Sequence, residues 1–375
     1  LRILSARISD FRNVAHAALT FAPRLTAFVG ENGQGKTNLL EALYLVAALR
    51  PLRSVGRVDL VRSGERRAAV ELAVHSARTT LTTALTLELG PEGRRLKRDD
   101  KACEATTFVG HLVAVAFTPD DLELTKGAPE ARRRFLDRAL FNARPAYLSM
   151  ALRYAKALKA RNRVLLDEGD DGLLEAFDAT LARAGAEVLA ARLAYAEQLA
   201  PRVLAAFASI ASPAPPLALR YVPSLADADA SATVDALSAR FHEALVRRRA
   251  NDRRRKKTTV GPHLDDLELV LGDRSARVRA SQGQHRALAL ALKLGEIGLV
   301  TDALGEPPVL LLDDISSELD APRTTQLFRA LGPLEGQVVM TTTDERQVER
   351  WASALGLAPR IHHVSQGSFT ALAEG

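Results

Sequence analysis

The stretch GENGQGKT, Gly30–Thr37, constrains this chain more than any other. It fits the spacing G-x-x-x-x-G-K-[ST], and its surroundings fit as well. The apolar run LTAFV leads in. A helix pattern from Lys36 to Leu49 leads out, with Leu39, Leu40, Leu43, Val46 and Ala47 on one face. Glycines at these positions let the backbone wrap a phosphate, and a helix start adds partial positive charge. Lys36 is placed to reach the β- and γ-phosphates of a nucleotide, and the Thr37 hydroxyl to reach Mg2+. Gly30, Asn32, Gly33, Gln34, Gly35, Lys36, Thr37 and Asn38 are therefore the candidate nucleotide contacts.

A second motif supplies the acid such a loop needs. VLLLDDISSELD, Val309–Asp320, reads as a buried strand ending in carboxylates. Asp313 is the metal-side candidate beside Thr37, and Asp314 is placed to polarise an attacking water, with Glu318 as the next candidate base. Lys36, Asp313 and Asp314 are the expected catalytic set.

The rest of the chain divides by texture. Ile3–Ser9, Val14–Phe21, Arg24–Val29, Ala68–Ser76 and Thr80–Leu89 read as strands. From about Pro129 to Ala250, Ala, Leu and Arg dominate with helical period, ending in a helix over Thr233–Arg249. A loop around ASPAPPLALRYVPS precedes that helix. Strand texture returns at Leu267–Leu271 and Ala276–Ala280, and again in VLLLDD and GQVVMTTTD. The expected fold class is α/β: a head of mixed sheet with an antiparallel lobe, interrupted by an α-helical arm. The expected boundaries are 1–125 and 255–375 for the head and 126–254 for the arm.

Charge points to a polyanionic partner. Net charge is +6, and RRRANDRRRKK, Arg247–Lys257, has Arg or Lys at eight of eleven positions. Arg247, Arg248, Arg253, Arg254, Arg255, Lys256 and Lys257 are the candidate DNA contacts. Arg132–Arg134, Arg153, Lys156, Lys159, Arg161 and Arg163 are expected to extend that surface. Aromatics are only 5%, which favours duplex or junction backbone over a base-stacking platform. No apolar run reaches membrane-spanning length. The first residues lack a signal-peptide pattern, and Cys103 is the single cysteine. These features predict a cytoplasmic protein without membrane association. His263, after Gly-Pro, reads as structural, and no zinc-ligand pattern is present.

The cluster SQGQ, Ser281–Gln284, opens a helix after the phosphate loop and before DD-x-x-SELD. In that order the three motifs resemble ATP-binding cassette heads of the P-loop class. The resemblance implies that Ser281, Gly283 and Gln284 act in trans, on the γ-phosphate held by a second copy. Three departures separate the chain from transporter cassettes. No glutamine lies between Gln34 and Gln198, Thr343 stands where a switch histidine is expected, and Asp314 replaces a glutamate. FRN at Phe11–Asn13, RPLRSV at Arg50–Val55, FTPDDLEL, GAPEARRRFLD, TTVGPHLDDLEL and SQGQHRALALALKLGE resemble the RecF family of bacterial recombination mediators, relatives of SMC heads. Leu264 departs from that pattern, where arginine is expected. The resemblance adds Arg12 and Asn13 to the nucleotide contacts. It implies ATP and Mg2+ as cofactors, an ATP-dependent homodimer, slow DNA-stimulated hydrolysis, and DNA binding in repair and replication. It further implies work with RecR and RecO to load RecA at gaps. A transporter motor subunit and an SMC-like DNA-bridging protein are the alternatives.

Overall fold

The structure is a computed structural model and describes all residues except 54–55, 57, 212–214, 315–334 and 372–375. Ser54 and Val55 of the RPLRSV motif, and Ile315–Asp320 with Glu318, therefore lie outside the described residues. The chain forms two compact units, residues 1–121 with 296–375, and residues 122–295.

The first unit holds two six-stranded sheets. One is antiparallel and orders β2-β1-β4-β5-β6-β7, from β1 (Arg2–Phe11), β2 (Val14–Thr20), β4 (Ala68–His75), β5 (Thr82–Gly90), β6 (Gly93–Arg98) and β7 (Lys101–Ala102). Ala6 and Ile8 alternate inward along β1, as a half-buried strand requires, and a register shift between Ile3 and Ser5 leaves Ile3 buried as well. The other sheet orders β15-β14-β3-β13-β12-β8, from β3 (Leu25–Val29), β8 (Ala114–Phe117), β12 (Val309–Leu312), β13 (Val338–Thr342), β14 (Arg360–Ser365) and β15 (Ser368–Ala371). Its strands are parallel except for β15. β3, β8, β12 and β13 are buried along their whole length, which explains why they read as continuous apolar runs.

The helix Lys36–Ala48 packs against strands of both sheets. That position buries more than the one face expected: Tyr44 and Leu45 are inside as well, and so is Glu41. A helix apolar all round belongs in a core of this kind. β3 and β12 are parallel and separated only by β13, so their C-terminal ends open on the same sheet edge.

Among the described residues the second unit carries four long helices, Pro129–Ala143, Tyr147–Leu166, Asp171–Ile210 and Val234–Arg255, and the start of a fifth, Gln282–Leu304. It also carries a three-stranded antiparallel sheet, β11-β10-β9, from β9 (Leu217–Val222), β10 (Asp266–Leu271) and β11 (Arg274–Ser275). The compact division falls at Asp121/Leu122 and Gly295/Glu296, where the sequence reading had 125/126 and 254/255. Three local readings need correction. The expected loop ASPAPPLALRYVPS contains β9, whose partner is β10, a long-range pairing that the local proline content masks. The expected strand Ala276–Ala280 is a short helix over Ala276–Arg279. Its alternation does not build a buried face: Ala276 is buried, but Val278 is 81% exposed. The helix expected to stop at Arg249 runs on to Arg255, ending where Lys256 turns left-handed at φ 53°.

That extension is held by charge. Arg249 pairs with Glu175 and Asp178, Arg253 with Asp171, and Lys256 with Glu168. Beneath them Arg161 is fully buried. Its guanidinium donates to Asp178 at 2.5 Å, to Asp252 at 2.7 Å and to Thr258 at 2.8 Å. An ion buried this deeply persists only where carboxylates and hydroxyls surround it. Arg161 thus joins three helices and cannot line a DNA groove. Arg132, likewise buried, grips Asp266 through two bonds of 2.7 and 2.9 Å.

A candidate nucleotide site at the phosphate loop

The loop after β3 is shaped by what crowds it. A Cβ on Gly30 would meet the Val364 carbonyl at 2.4 Å. Gly35 caps the following helix at φ 108°, and a Cβ there would meet the Asn13 amide at 2.6 and 2.7 Å. Gly33 is also left-handed, at φ 81°, but faces open space. Lys36 is 6% exposed, and its ammonium donates back to the carbonyls of Gly30 at 2.6 Å and Glu31 at 2.8 Å. Burial lowers its pKa, against the opposing pull of Asp314 and Asp313. Asn32 is exposed at the loop tip.

Thr37 and Asp313 meet although 276 residues separate them. The Thr37 hydroxyl donates to Asp313 Oδ1 at 2.8 Å, and Thr341 Oγ1 donates to the same oxygen at 2.9 Å. The Asp314 N–H donates to Thr341 Oγ1 at 3.0 Å, fixing the turn in which Asp314 is left-handed at φ 43°. Desolvation pushes the Asp313 carboxyl up, against the Thr37 and Thr341 hydrogen bonds and the Arg53 charge. A hydroxyl and a carboxylate at this distance form an oxygen donor pair that fits a small hard cation such as Mg2+.

Asn13 and Arg12 occupy supporting places. The Asn13 side chain donates to the Gln34 carbonyl at 3.2 Å and accepts from Asn38 at 2.8 Å. Arg12, left-handed at φ 55°, grips buried Glu41 at 2.8 and 2.9 Å and donates to the Asp59 carbonyl at 3.0 Å. Sequence reasoning missed the other brace. Gln366 N–H donates to Gln34 Oε1 at 2.7 Å, and Gly367 N–H to the Gln34 carbonyl at 2.8 Å. Gly367 has no room for a side chain, because a Cβ would meet the Asn13 carbonyl at 2.3 Å. The Gln-Gly pair of the β14–β15 turn was the available signal. Thr341 and Glu41 were missed too, as a polar residue within a strand and an acid within an apolar helix.

In the second unit, Ser281 and Gln284 cap their own helix reciprocally. Gln284 N–H donates to Ser281 Oγ at 3.2 Å, and Ser281 N–H donates to Gln284 Oε1 at 2.8 Å. This capping box accounts for the serine and the second glutamine as a local device. It does not account for Gly283, a glycine in the first turn of the helix Gln282–Leu304, and it leaves Ser281 exposed.

The basic run is partly committed. Arg253 also donates to the Gly169 carbonyl, Arg247 pairs with Glu243, Arg248 donates to the Thr259 carbonyl, and Arg254 to Asn251. Arg255 and Lys257 are exposed and form no ion pair among the described residues. His263 accepts its structural place: its Nδ1 shares a 2.6 Å hydrogen bond with the Tyr154 hydroxyl.

A phosphate loop on a parallel strand, a strand-end aspartate meeting it, and an antiparallel lobe define an ATPase head of the RecF and SMC class. Residues 2–366 match the family model described as RecF/RecN/SMC N terminal domain. The DNA replication and repair protein RecF of Myxococcus xanthus (strain DK1622) is 47% identical over 352 residues, which cover 92% of this chain and 91% of the relative. That of Anaeromyxobacter sp. (strain Fw109-5) is 45% identical, covering 93% and 94%. A structure of the recombination mediator protein RecF with ATP, in the RecFOR pathway, matches 99% of this chain and 97% of its own at a TM-score of 0.89 and 30% identity. An SMC head bound to the C-winged helix domain of ScpA matches at 0.55 with 15% identity, a likeness of fold. The chain belongs to the RecF family. That assignment takes the place of the transporter-motor and bridging alternatives.

Proposed function

We propose that this chain is an ATP-dependent DNA-binding protein of recombinational repair and replication. In this reading it binds ATP, closes as a homodimer around it, and hydrolyses it slowly. The observation that carries the reading is the 2.8 Å bond from Thr37 to Asp313, which joins the phosphate loop to the strand-end acid.

The residues divide the work by position. Backbone N–H groups from Gly33 to Thr37 face a bound triphosphate at the start of the helix. Lys36 exchanges the Gly30 and Glu31 carbonyls for phosphate oxygens, a better partner for an ammonium. Thr37 and Asp313 hold Mg2+, which when bound neutralises phosphate charge. Asp314, held by its own N–H on Thr341, orients the attacking water. Asn13, Gln34 and the 366–367 turn keep the loop open from outside, and Arg12 with Glu41 fixes the strand turn that carries Asn13. Ser281, Gly283 and Gln284 close over the γ-phosphate of a second copy: the helix start offers N–H donors while the capping box holds them in place.

DNA binding falls on the basic helix end around Arg254, Arg255 and Lys257, through phosphates and without base reading. RecR and RecO are partners and RecA loading the outcome, in the cytoplasm, as the kinship with RecF supports. No described helix is long and apolar enough to cross a membrane.

Size-exclusion chromatography with ATP and Mg2+, with and without duplex DNA, tests the reading. The wild-type chain should shift to a dimer, and Lys36→Ala should not. Loss of this charge-assisted phosphate contact weakens binding by about 1.5–3 kcal/mol. A Lys36→Ala variant that dimerises normally with ATP removes the phosphate role from Lys36.

A further inference from the structure

The helices Tyr147–Leu166 and Asp171–Ile210 run antiparallel, with Arg153 beside Glu187 at one level and Arg161 beside Asp178 at another. Between them lies an open furrow of about 470 Å3. Its floor is carbon from Ala157, Ala160, Ala184 and Phe177. Phe177 packs at its edge against the buried cluster of Val164, Leu165 and Leu174. The small alanines let the helices approach and leave the trough above them.

The rim is cationic at one end. Arg153 and Arg183 share the single carboxylate Glu187, and Arg183 also reaches Asp235. Lys156 is exposed and forms no ion pair among the described residues. Three cations thus face two carboxylates at that end, counting the Asp235 that pairs with Arg183, and the residues that line the other end, Ala160, Phe177 and Thr180, are uncharged. A DNA backbone fits this badly. Duplex carries a charge about every 1.7 Å along its axis, so phosphates would lie over the alanine floor.

We propose that the furrow docks an acidic peptide segment of a partner protein, one carboxylate cluster on the Arg153–Lys156–Arg183 rim and one aromatic or branched side chain over Ala160 and Phe177. Arg153 and Ala160 are seven residues apart on one helix, about 10 Å at 1.5 Å per residue. An extended peptide covers that with about three residues. The segment therefore carries its acids about three positions from its apolar anchor. Charge complementarity sets its direction along the furrow, and the anchor supplies the desolvated contact that dominates such docking.

Fluorescence anisotropy of a labelled Asp-Glu-Asp-Ala-Ala-Phe peptide against the full chain tests this. Saturable binding is expected. Replacing the three acids by their amides, or the Phe by Ala, should weaken it about fivefold or more, the loss expected of one rim or anchor contact. Lys156→Glu reverses the exposed rim charge, and Ala160→Gln fills the floor while keeping helix propensity. Each should weaken the parent peptide by the same factor or more, with an unchanged circular dichroism spectrum and ATP affinity. No saturable binding at millimolar peptide overturns the proposal. So does binding that is indifferent to the Phe and to Ala160→Gln but displaced by duplex DNA, which would make the rim a phosphate surface.

Discussion

Replacing Gly35 by alanine separates two constraints on the phosphate loop. The first is backbone: φ of +108° costs a side-chain-bearing residue about 1–2 kcal/mol. The second is contact. The new Cβ lies 2.6 and 2.7 Å from the Asn13 amide atoms, so Asn13 must move and give up its bonds to Gln34 and Asn38. Two such bonds are worth about 0.5–1.5 kcal/mol each, which brings the total to about 2–5 kcal/mol. If the loop must regain its shape to cradle phosphate, affinity for ATP falls roughly 30-fold to several thousand-fold. Gly33→Ala has the backbone cost alone, since nothing lies within 4 Å of its Cβ, and should lose roughly 5- to 30-fold. In an Asn13→Ala background, Gly35→Ala should cost no more than Gly33→Ala does. Titration of a fluorescent ATP analogue against these four variants, each checked by circular dichroism, measures the coupling. Equal losses at Gly33 and Gly35, or no relief from Asn13→Ala, would refute the bracing role of Asn13.

Three further outcomes are expected. Ser281→Asp keeps a good helix cap but sets a carboxylate where a γ-phosphate should arrive, so monomer binding of ATP should persist while the ATP-dependent dimer disappears; equal loss of both in chromatography and titration would place the cluster within its own subunit's site. The Asp313 carboxyl is held above its ordinary range, so the folded chain binds this proton more tightly than the unfolded one, and the charged group costs stability at neutral pH that is relieved as pH falls through the raised pKa. Mg2+ needs the carboxylate, so the Mg2+-dependent part of ATP affinity should fall over that same window, above the ordinary 3.8, and Asp313→Asn should lack the transition. Changing Arg254, Arg255 and Lys257 to Ala should flatten the salt dependence of duplex binding by about two to three units, whereas Arg253→Ala, already paired with Asp171, should barely change it; the opposite ranking across a salt series would move the DNA surface.

How much of this was legible depends on the range over which each feature is determined. The phosphate loop and the strand-end acids are local patterns, and a buried parallel strand must be apolar throughout, so VLLLDD was readable. The link between them was readable only as a role for Thr37 and Asp313. Thr341, which completes the acid's hydrogen bonding, shows in the sequence only as a polar residue in a buried strand, with nothing local to name its partner. Gln366 and Gly367 act on Gln34 across more than 330 residues, a relation only the fold creates. The basic run misled in the other direction. Eight basic residues in eleven announced a surface, yet the carboxylates that engage Arg249, Arg253 and Lys256 sit some 70–90 positions earlier, on the neighbouring helix Asp171–Ile210 and in the turn before it. Arg161 looked like one more helix-face cation and is fully buried with its two carboxylate partners. Val278 shows the limit of periodicity: five alternating residues specify a face only if something covers it.

The brace on Gln34 sets an order of events during synthesis. The unit of residues 122–295 is continuous in sequence, so its internal contacts do not wait for residues made later. The other unit is not, because strands on both sides of its phosphate loop come from the last part of the chain. Between the translation of Lys36 and that of Gln366, about 330 residues must be added, roughly 15–65 s at bacterial elongation rates. For most of that interval the loop lacks Asp313, β13 and β14, and its outer support comes last. The nascent chain should therefore be unable to hold a nucleotide until about Gln366 has been added, and copies that stop short of it should be unable to join an ATP-dependent pair.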